Sequence, residues 1–375
     1  MMHNSQRFII LLVFAVVIGT SYQCGAPEPQ TLKAAFVEHF MIGTALGGNQ
    51  INGENAEALT LTIEQFNTIT AENDMKFGPI HPEPETYRFE TADRFVEFGE
   101  QHNMFIVGHT LVWHSQTGRW VFTETNGQDV DRETLLGRMQ DHISTVVGRY
   151  KGRVNGWDVV NEALNEDGSL RQSKWLQIIG EDYLQKAFEF AHQADPAAEL
   201  YYNDYNMFHK EKREGAVRLV QNLLDSGVKV DGIGMQGHWG LDYPSIEDAE
   251  ASILAFSELG VKVMITELDI NVLPDPAKWR GADISMNAEA QQAIDPYKDG
   301  LPDSVQQQLA DRYGELFALF LKHSDKISRV TFWGTHDGHS WKNNWPVRGR
   351  TNYPLLFDRN YQPKPAFYAV MELVR

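Results

Sequence analysis

The chain has 375 residues, of which 33 are Lys or Arg and 51 are Asp or Glu, so its formal net charge is −18. This length allows two domains or one large barrel, and 42% hydrophobic with 22% charged residues excludes a mainly disordered or fibrous chain. The acidic balance argues against a nucleic-acid or anionic-membrane partner, since both attract a positive face. Cys24 is the single cysteine, which excludes an intramolecular disulfide and a thiolate metal cluster.

The N-terminus has the pattern of a secretion signal. Arg7 precedes an apolar run from Phe8 to Gly19, which is shorter than the roughly 20 residues needed to cross a bilayer. This pattern predicts a signal peptide over residues 1–23, a short linker over 24–30 and one folded catalytic domain over 31–375. We therefore expect a secreted or periplasmic protein. Lipid anchoring at Cys24 is the alternative to plain secretion, and the sequence leaves both open.

Short apolar, β-rich runs recur along the rest of the chain, each followed by a loop and a helix-like pattern. Strand–helix alternation predicts parallel strands, and eight such units fit a single α/β (β/α)8 barrel, the TIM barrel. A doubly wound sheet is the alternative, but no GxGxxG motif follows the first run. The runs are Phe40–Leu46, Thr68–Glu72, Met104–Leu111, Val154–Val160, Glu199–Tyr205, Gly232–Gln236, Val261–Glu267 and Val330–Trp333. Helical spacing is evident over Glu181–Gln193 and Lys212–Ser226.

Polar and aromatic residues follow the predicted strands at the end where barrel enzymes place their catalytic residues. A purely structural face would not need two Glu, two His, a Lys and several amides together. The candidates are Glu72, Asn73, Lys76, His109, Trp113, Gln116, Asn161, Glu162, Tyr205, Gln236, His238, Glu267, Asp269, Trp333 and Trp341.

Glu162 and Glu267 form the natural catalytic pair among these candidates. They end strands four and seven, which face each other across the mouth of a barrel. Glycoside hydrolysis needs one carboxylic acid to protonate the leaving oxygen and a second carboxylate about 5–5.5 Å away for a retaining mechanism. A single strand-terminal Glu suits a salt bridge or a helix cap equally well. The pair, with Asn161 directly before Glu162, favours catalysis.

Several segments resemble glycoside hydrolase family ten, the retaining endo-β-1,4-xylanases. Trp157–Ala163 resembles the acid/base motif of that family, and Ile265–Asp269 resembles its nucleophile motif. The other matching segments are Ala71–Lys76, Gly108–Gln116, Tyr202–Asn206, Gly234–His238 and Phe332–Gly334 with Ser340–Trp341. The resemblance runs from about Phe36 to Val370. Each motif alone is moderately specific, whereas seven in the right order are very specific.

The resemblance implies an endo-1,4-β-xylanase that acts on xylan or xylooligosaccharides with retention of configuration. Glu267 would be the nucleophile and Glu162 the general acid and then base, with His238 and Asp269 supporting Glu267. Substrate would be bound by Glu72, Asn73, Lys76, His109, Trp113, Gln116, Asn161, Tyr205, Gln236, His238, Trp333 and Trp341. We expect no cofactor, no metal and no protein partner, and therefore a monomer.

Other interpretations of single residues stay open at this stage. Trp113 and Trp333 suit a hydrophobic core, Lys76 suits an ion pair and His109 suits a structural histidine. For Trp157 and Asp158 the structural role is favoured, because both precede the catalytic pair on the strand.

Two other function classes remain. An endo-β-1,4-glucanase of the same barrel type is one, although Trp333 and Trp341 would crowd the hydroxymethyl group of glucose. A catalytically inactive sugar-binding barrel is the other, and the presence of both Glu162 and Glu267 argues against it. The polar segment Asn271–Pro302 is long for a loop. Shaping the leaving-group side of the cleft and forming a solvated insertion both stay open as its role. Arg348 and Arg350 are expected to pair with the acidic surface rather than with uronic-acid branches of xylan.

Overall fold

The computed structural model describes residues 31–274 and 294–375. The predicted signal peptide and linker, Cys24 and residues 275–293 of the long polar segment lie outside the described residues. The strands of the described part are β1 Met41–Leu46, β2 Thr68–Ala71, β3 Phe105–Trp113, β4 Gly156–Asn161, β5 Glu199–Asp204, β6 Gly232–Met235, β7 His238–Gly240, β8 Lys262–Asn271 and β9 Ile327–Phe332.

Eight of these strands close a parallel barrel. They follow one another in the order β1, β2, β3, β4, β5, β6, β8 and β9, and β9 pairs back onto β1. The short strand β7 adds to β8 through His238 and Asp269. The predicted (β/α)8 architecture is therefore confirmed. The short additional strand β7 follows β6 directly in the chain.

The strand boundaries differ from the prediction mainly near the last two barrel strands. The strand predicted at Val330–Trp333 instead spans Ile327–Phe332, so it also includes the polar residues Ser328 and Arg329. Arg329 is nevertheless only 2% exposed. Its guanidinium lies 5.2 Å from the ring centre of Tyr201, which comes from β5 across the barrel.

Helices surround the barrel, and several of them begin with a side-chain cap of the kind that helix termini favour. Asp131 accepts a hydrogen bond from Thr134 N at 2.8 Å, and Ser245 accepts one from Asp248 N at 3.0 Å. The described helices are α1 Leu32–Ala35, α2 Gly48–Ile51, α3 Ala56–Gln65, α4 Phe77–Ile80, α5 Glu90–Gln101, α6 Arg132–Arg149, α7 Lys174–Ile179, α8 Tyr183–Ala194, α9 Lys210–Asp225, α10 Ile246–Ser257, α11 Asp303–Lys322 and α12 Pro365–Glu372. None of them is long and apolar enough to cross a membrane.

The main core fills the space between the barrel and its helices, and a small cluster fills the barrel floor. Val107, Tyr201 and Met264 form that cluster, each from a different strand. Barrel strands are thus covered on both faces, which is why they appear as nearly continuous apolar runs in the sequence. Filling the floor with side chains leaves the opposite, carboxyl end of the barrel for the site.

The long segment after β8 is tied to the barrel at both of its described ends. Arg350 is 5% exposed and donates hydrogen bonds to the backbone oxygens of Pro274 and Ile294, both at 2.9 Å. Its guanidinium thus satisfies carbonyl groups on either side of residues 275–293. The expected pairing of Arg350 with the acidic surface stays a prediction.

Candidate active site

The carboxyl ends of seven barrel strands bring the predicted residues to one mouth. Glu72, Asn73 and Lys76 follow β2, and His109 and Trp113 lie on β3. The other strands supply the remaining predicted residues: Asn161 and Glu162 from β4, Tyr205 after β5, Gln236 and His238 after β6, Glu267 and Asp269 on β8, and Trp333 and Trp341 after β9. Gln116 follows β3, and its side chain is exposed to solvent. Its backbone oxygen accepts a hydrogen bond from Gly78 N at 2.8 Å.

Glu267 is a buried carboxylate, 4% exposed, whose two oxygens both meet donors. Oε1 accepts a hydrogen bond from Asn203 Nδ2 at 2.7 Å, and Oε2 lies 3.1 Å from His238 Nε2. Burial by itself would raise the pKa of Glu267, but the hydrogen bond and positive charge of His238 hold it below the usual range. The carboxylate is therefore ionised at neutral pH.

His238 lies between Glu267 and Asp269. Its Nδ1 is 3.0 Å from Asp269 Oδ1, while Nε2 contacts Glu267. Burial opposes the charged imidazolium, yet Asp269 and Glu267 together raise the pKa of His238 to about 9. At neutral pH both ring nitrogens consequently carry a hydrogen, and each donates it to one carboxylate.

Asp269 anchors this arrangement from behind. It is fully buried, and Oδ2 accepts a hydrogen bond from Trp341 Nε1 at 2.8 Å. Lys342 Nζ lies 3.3 Å from Oδ1 and 4.7 Å from the centre of the Trp341 ring. Burial opposes ionisation of Asp269, but the charges of His238 and Lys342 lower its pKa. Asp269 thus fixes both an imidazolium and an indole beside the nucleophile candidate.

The carboxylate of Glu162 accepts two hydrogen bonds, and its backbone has an unusual conformation. Trp113 Nε1 donates to Oε2 at 2.9 Å, and Gln236 Nε2 donates to Oε1 at 3.0 Å. Its backbone φ is 57°, in the left-handed region that non-glycine residues rarely adopt. Its side chain is 13% exposed, which leaves the carboxyl group open to a bound molecule.

Amide side chains join the two glutamates. Asn203 Nδ2 contacts both Glu267 and the Asn161 amide, which lies 3.0 Å away. Gln236 Nε2 contacts Glu162 and lies 3.3 Å from Asn161 Oδ1. Asn161 therefore sits between the two carboxylates, where a sugar that reaches both must pass.

His109 is held by a hydrogen bond with Asp158 inside the barrel. Its Nδ1 lies 2.8 Å from Asp158 Oδ2, and both side chains are 2% exposed. The ring meets Trp333 edge to face at 5.3 Å between ring centres. The structure thus supports a structural partner for His109 and also places its ring against the predicted roof of the site.

The β2 segment supplies a cation beside an aromatic ring. Lys76 Nζ donates to Asn73 Oδ1 at 2.9 Å and lies 5.0 Å from the ring centre of Trp113. Burial lowers the pKa of Lys76 and raises that of Glu72, although their opposite charges partly offset this. Glu72 Oε2 also lies 3.7 Å from His339 Nδ1. These groups are suited to binding several hydroxyls in a row.

Four residues of this network were missed in the sequence analysis or assigned elsewhere. Asn203 was noted only within a motif, Asp158 was assigned a structural role, and Lys342 and Arg171 were not considered. Arg171 Nη2 donates to the hydroxyl of Tyr205 at 2.9 Å. The pairing of β4 with its neighbours places Asp158 opposite His109 and Asn203 opposite Asn161, a signal that becomes available only when the strands are aligned.

A (β/α)8 barrel with an ionised buried glutamate and a second glutamate across a cleft of amides and indoles defines a glycoside hydrolase. The model of Glycosyl hydrolase family 10 matches residues 31–373, and the chain belongs to that family.

Named relatives agree with this assignment. The chain is 47% identical over 348 residues to endo-1,4-beta-xylanase A of Xylanibacter ruminicola, covering 93% of this chain and 94% of that one. A solved family 10 endoxylanase from a sugarcane soil metagenome superposes with a TM-score of 0.87 at 46% identity, covering 92% and 99% of the two chains. Another structure, a variant in complex with xylotriose, superposes with a TM-score of 0.82 at 36% identity, covering 92% and 100%.

Proposed function

We propose that the chain is an endo-1,4-β-xylanase that hydrolyses internal bonds of xylan or xylooligosaccharides by a retaining double displacement. Family membership and the named relatives support the reaction class, and the relative in complex with xylotriose supports the substrate class. The observation that carries the assignment of roles is the difference between the two glutamates. Glu267 is buried and held ionised by His238, whereas Glu162 is open to the cleft.

In the first step, Glu267 attacks the anomeric carbon while Glu162 gives its proton to the leaving glycosidic oxygen. A covalent glycosyl-enzyme forms, and the leaving sugar departs with that proton. In the second step, Glu162 removes a proton from water, and the resulting nucleophile displaces Glu267 from the sugar. Two inversions at one carbon give net retention of configuration.

The neighbouring side chains have roles that follow from their contacts. His238 and Asp269 keep Glu267 ionised and oriented, and Asn161, between the two carboxylates, donates to the sugar 2-hydroxyl. Lys76 and His109 hold the same sugar. The other proposed sugar contacts are Glu72, Asn73, Trp113, Gln116, Tyr205 and Gln236.

Trp333 and Trp341 would roof the reacting end of the cleft and give it preference for xylose. Xylose lacks the C6 hydroxymethyl group of glucose, so a close indole roof penalises the larger sugar. One added group in a pocket changes binding by only about 1–3 kcal/mol, so we expect preference rather than absolute rejection.

The N-terminal sequence supports secretion or transport to the periplasm, with lipid attachment at Cys24 as the alternative outcome. Intact-mass analysis of the mature protein from its native host distinguishes these. Cleavage before Cys24 without added mass indicates plain secretion, and acyl mass on Cys24 indicates anchoring. An uncleaved N-terminus would contradict both.

Gel filtration of the mature protein tests whether it is a monomer.

The central experiment measures reducing-sugar release from glucuronoxylan and from carboxymethyl cellulose. Wild type should act strongly on xylan and weakly on the cellulose derivative, and Glu267→Gln should abolish release. The matched control is Glu258→Gln, which changes an exposed glutamate outside the site and should retain activity. Preference for carboxymethyl cellulose would favour the glucanase alternative. If wild type releases nothing, xylotetraose distinguishes an enzyme for short oligomers from a barrel that only binds sugar.

A second experiment assigns the roles of the two glutamates. Glu162→Ala should lose about 10²–10⁴-fold on xylan, the usual contribution of a general acid or base. With an activated aryl xyloside, added azide should restore turnover and yield the β-azide, since azide attacks the intermediate from the side that Glu162 vacates. An α-azide product would show that the two roles are reversed or that the mechanism inverts.

A further inference from the structure

The polypeptide makes a tight hairpin immediately after Glu162 and closes it at Arg171. Leu164 and Leu170 pair as an antiparallel bridge, and Asn165 N donates to Ser169 O at 2.9 Å. Arg171 N then donates to Ala163 O at 2.7 Å. The hairpin therefore begins at the acid/base candidate and returns to it.

The Arg171 side chain spans three groups around that turn. Nε donates to the backbone oxygen of Glu162 at 3.0 Å, and Nη2 donates to Leu164 O at 3.1 Å. Nη2 also donates to the hydroxyl of Tyr205, which follows β5. One rigid, planar guanidinium thus joins the backbone of Glu162 to a second side chain of the site.

Glu162 needs such support because its backbone is in an unfavourable conformation. A non-glycine residue with φ of 57° costs roughly 1–3 kcal/mol unless the surroundings compensate. Asn203 O accepts its backbone N–H at 2.9 Å, and Arg171 meets its carbonyl. Both peptide groups that flank the side chain are therefore fixed, independently of the contacts that Trp113 and Gln236 make with its carboxylate.

The contact with Tyr205 determines how its hydroxyl is used. Arginine only donates, so the Tyr205 oxygen must accept from Arg171, and its own hydrogen remains for another acceptor. The Tyr205 ring is also contacted by Lys212, whose Nζ lies 3.5 Å from the ring centre. Lys212 is in turn fixed 3.0 Å from the buried Asp204. The hydroxyl is thereby directed as a donor.

We propose that Arg171 is a positioning residue for proton transfer, which sets the placement of Glu162 and the donor direction of Tyr205 together. This inference rests on the proposed function, because it assigns Glu162 as the general acid/base. Arg171 acts through these two residues and does not itself touch the reacting atoms. A displacement of about 1 Å at a catalytic group can cost around 10²-fold in rate.

The test uses the dependence on the leaving group, which a merely structural role would not alter. Cleavage of xylotetraose needs a proton at the leaving glycosidic oxygen. With a 2,4-dinitrophenyl β-xylobioside, the 2,4-dinitrophenolate group leaves without one. Arg171→Met should lower kcat/KM for xylotetraose by about ten- to a hundredfold and change that for the dinitrophenyl substrate by less than about threefold. Adding Arg171→Met to Glu162→Ala should cost much less on xylotetraose than in wild type, and no more than Tyr205→Phe costs in the same background.

The matched control is Arg218→Met. Arg218 Nη2 contacts the same hairpin at Gly168 O, at 3.5 Å, but does not contact Glu162 or Tyr205. This variant should keep the wild-type ratio of the two substrates. If Arg171→Met does not fold, Arg171→Lys and Tyr205→Phe serve instead, and each should show a smaller selective loss on xylotetraose.

Equal losses on the two substrates, or no loss on either, would overturn the role of Arg171. A loss in the Glu162→Ala background as large as that in wild type would overturn it as well, because Arg171 would then act independently of the acid/base residue. Failure of the proposed function is distinct from these results, since wild type would then release no sugar from xylan or xylotetraose.

Discussion

A buried pair of histidines beneath α4 should make the protein sensitive to mild acid. His81 and His142 are 2% and 0% exposed, and their Nδ1 atoms lie 3.3 Å apart. Phe77 stacks on His142 at 3.6 Å, and Tyr87 stacks on His81 at 3.9 Å between ring centres. Among the described residues, neither Nε2 atom has a hydrogen-bond partner. Protonation would therefore give a ring a positive charge and a new N–H donor. Within the described part of the chain no group accepts that hydrogen bond, and Asp141 balances the charge only in part.

The sign and size of the effect follow from linkage. Burial lowers the pKa of His81 to about 4 from an ordinary 6.5, although the charge of Asp141 partly opposes this, and burial lowers that of His142 as well. Above the unfolded value both states are neutral and pH has no effect. Below it the unfolded chain binds protons that the folded chain refuses, so stability falls as the pH falls. From pH 8 to pH 5 the loss through His81 alone is about 2 kcal/mol, and His142 adds to it in the same direction.

Urea unfolding between pH 8 and pH 5 tests this prediction. The double variant His81→Gln/His142→Gln should be less stable than wild type at pH 8, because it places amides in an apolar stack. Its loss of stability down to pH 5 should nevertheless be smaller than that of wild type by about 2 kcal/mol or more. His102→Gln, at an exposed position, should follow the wild-type curve. Parallel curves for wild type and the double variant would refute the reasoning, since the two imidazoles would then titrate alike in both states.

Two further predictions concern packing and a buried ion pair, and both are measured as the free energy of unfolding in urea. Gly108→Ala should destabilise by about 1–3 kcal/mol or more, because the new Cβ would lie 2.2 Å from the Trp157 ring. Gly137→Ala in α6 is the control, because outside the helix itself no atom lies within 4 Å of the new Cβ. It should stabilise the protein by about 0.5–1 kcal/mol, and a loss of stability would contradict the reasoning. Asp337→Asn should cost about 3–5 kcal/mol by leaving the buried ammonium of Lys364, now 2.9 Å from the carboxylate, without its counter-charge. Adding Lys364→Met should recover part of that loss, and no recovery would show that packing rather than charge dominates.

The barrel and most of the site could be predicted because parallel strands and their end residues follow simple rules. Strands covered on both faces appear as apolar runs, and the residue after each run lies at the mouth. Glu162 and Glu267 were located in this way, and the family resemblance then supplied their roles. The ends of single strands were less predictable. Arg329 interrupts an apolar run in the sequence, but in the barrel it is buried against Tyr201.

The residues that support the site were harder to predict, because their partners depend on strand register and on turns. Asp158 reaches His109 because the two residues are opposite each other in the β3–β4 pairing. Lys342 reaches Asp269 from a short helical turn, Trp341–Asn343, whose position no strand pattern specifies. Arg171 is nine residues along the chain from Glu162 and returns to it only because the hairpin is tight. A sequence pattern predicts which face of its own helix or strand a residue occupies. It does not predict which residue of another element that side chain contacts.

The irregularity in β4 shows why this limit is physical. Successive residues of a regular strand point to opposite faces, so Asp158 and Asn161, three positions apart, should point in opposite directions. Both nevertheless contact side chains of the site, His109 and Asn203 respectively. The register with β5 shifts between Asp158 and Val160, so Val159 is an extra residue that restores a common face. The strand thus gives up regular pairing at one residue, and Glu162 follows directly with its left-handed backbone. Alternation predicts a strand here. The departure from alternation is what brings Asp158, Asn161 and the proposed acid/base residue, Glu162, to the same mouth.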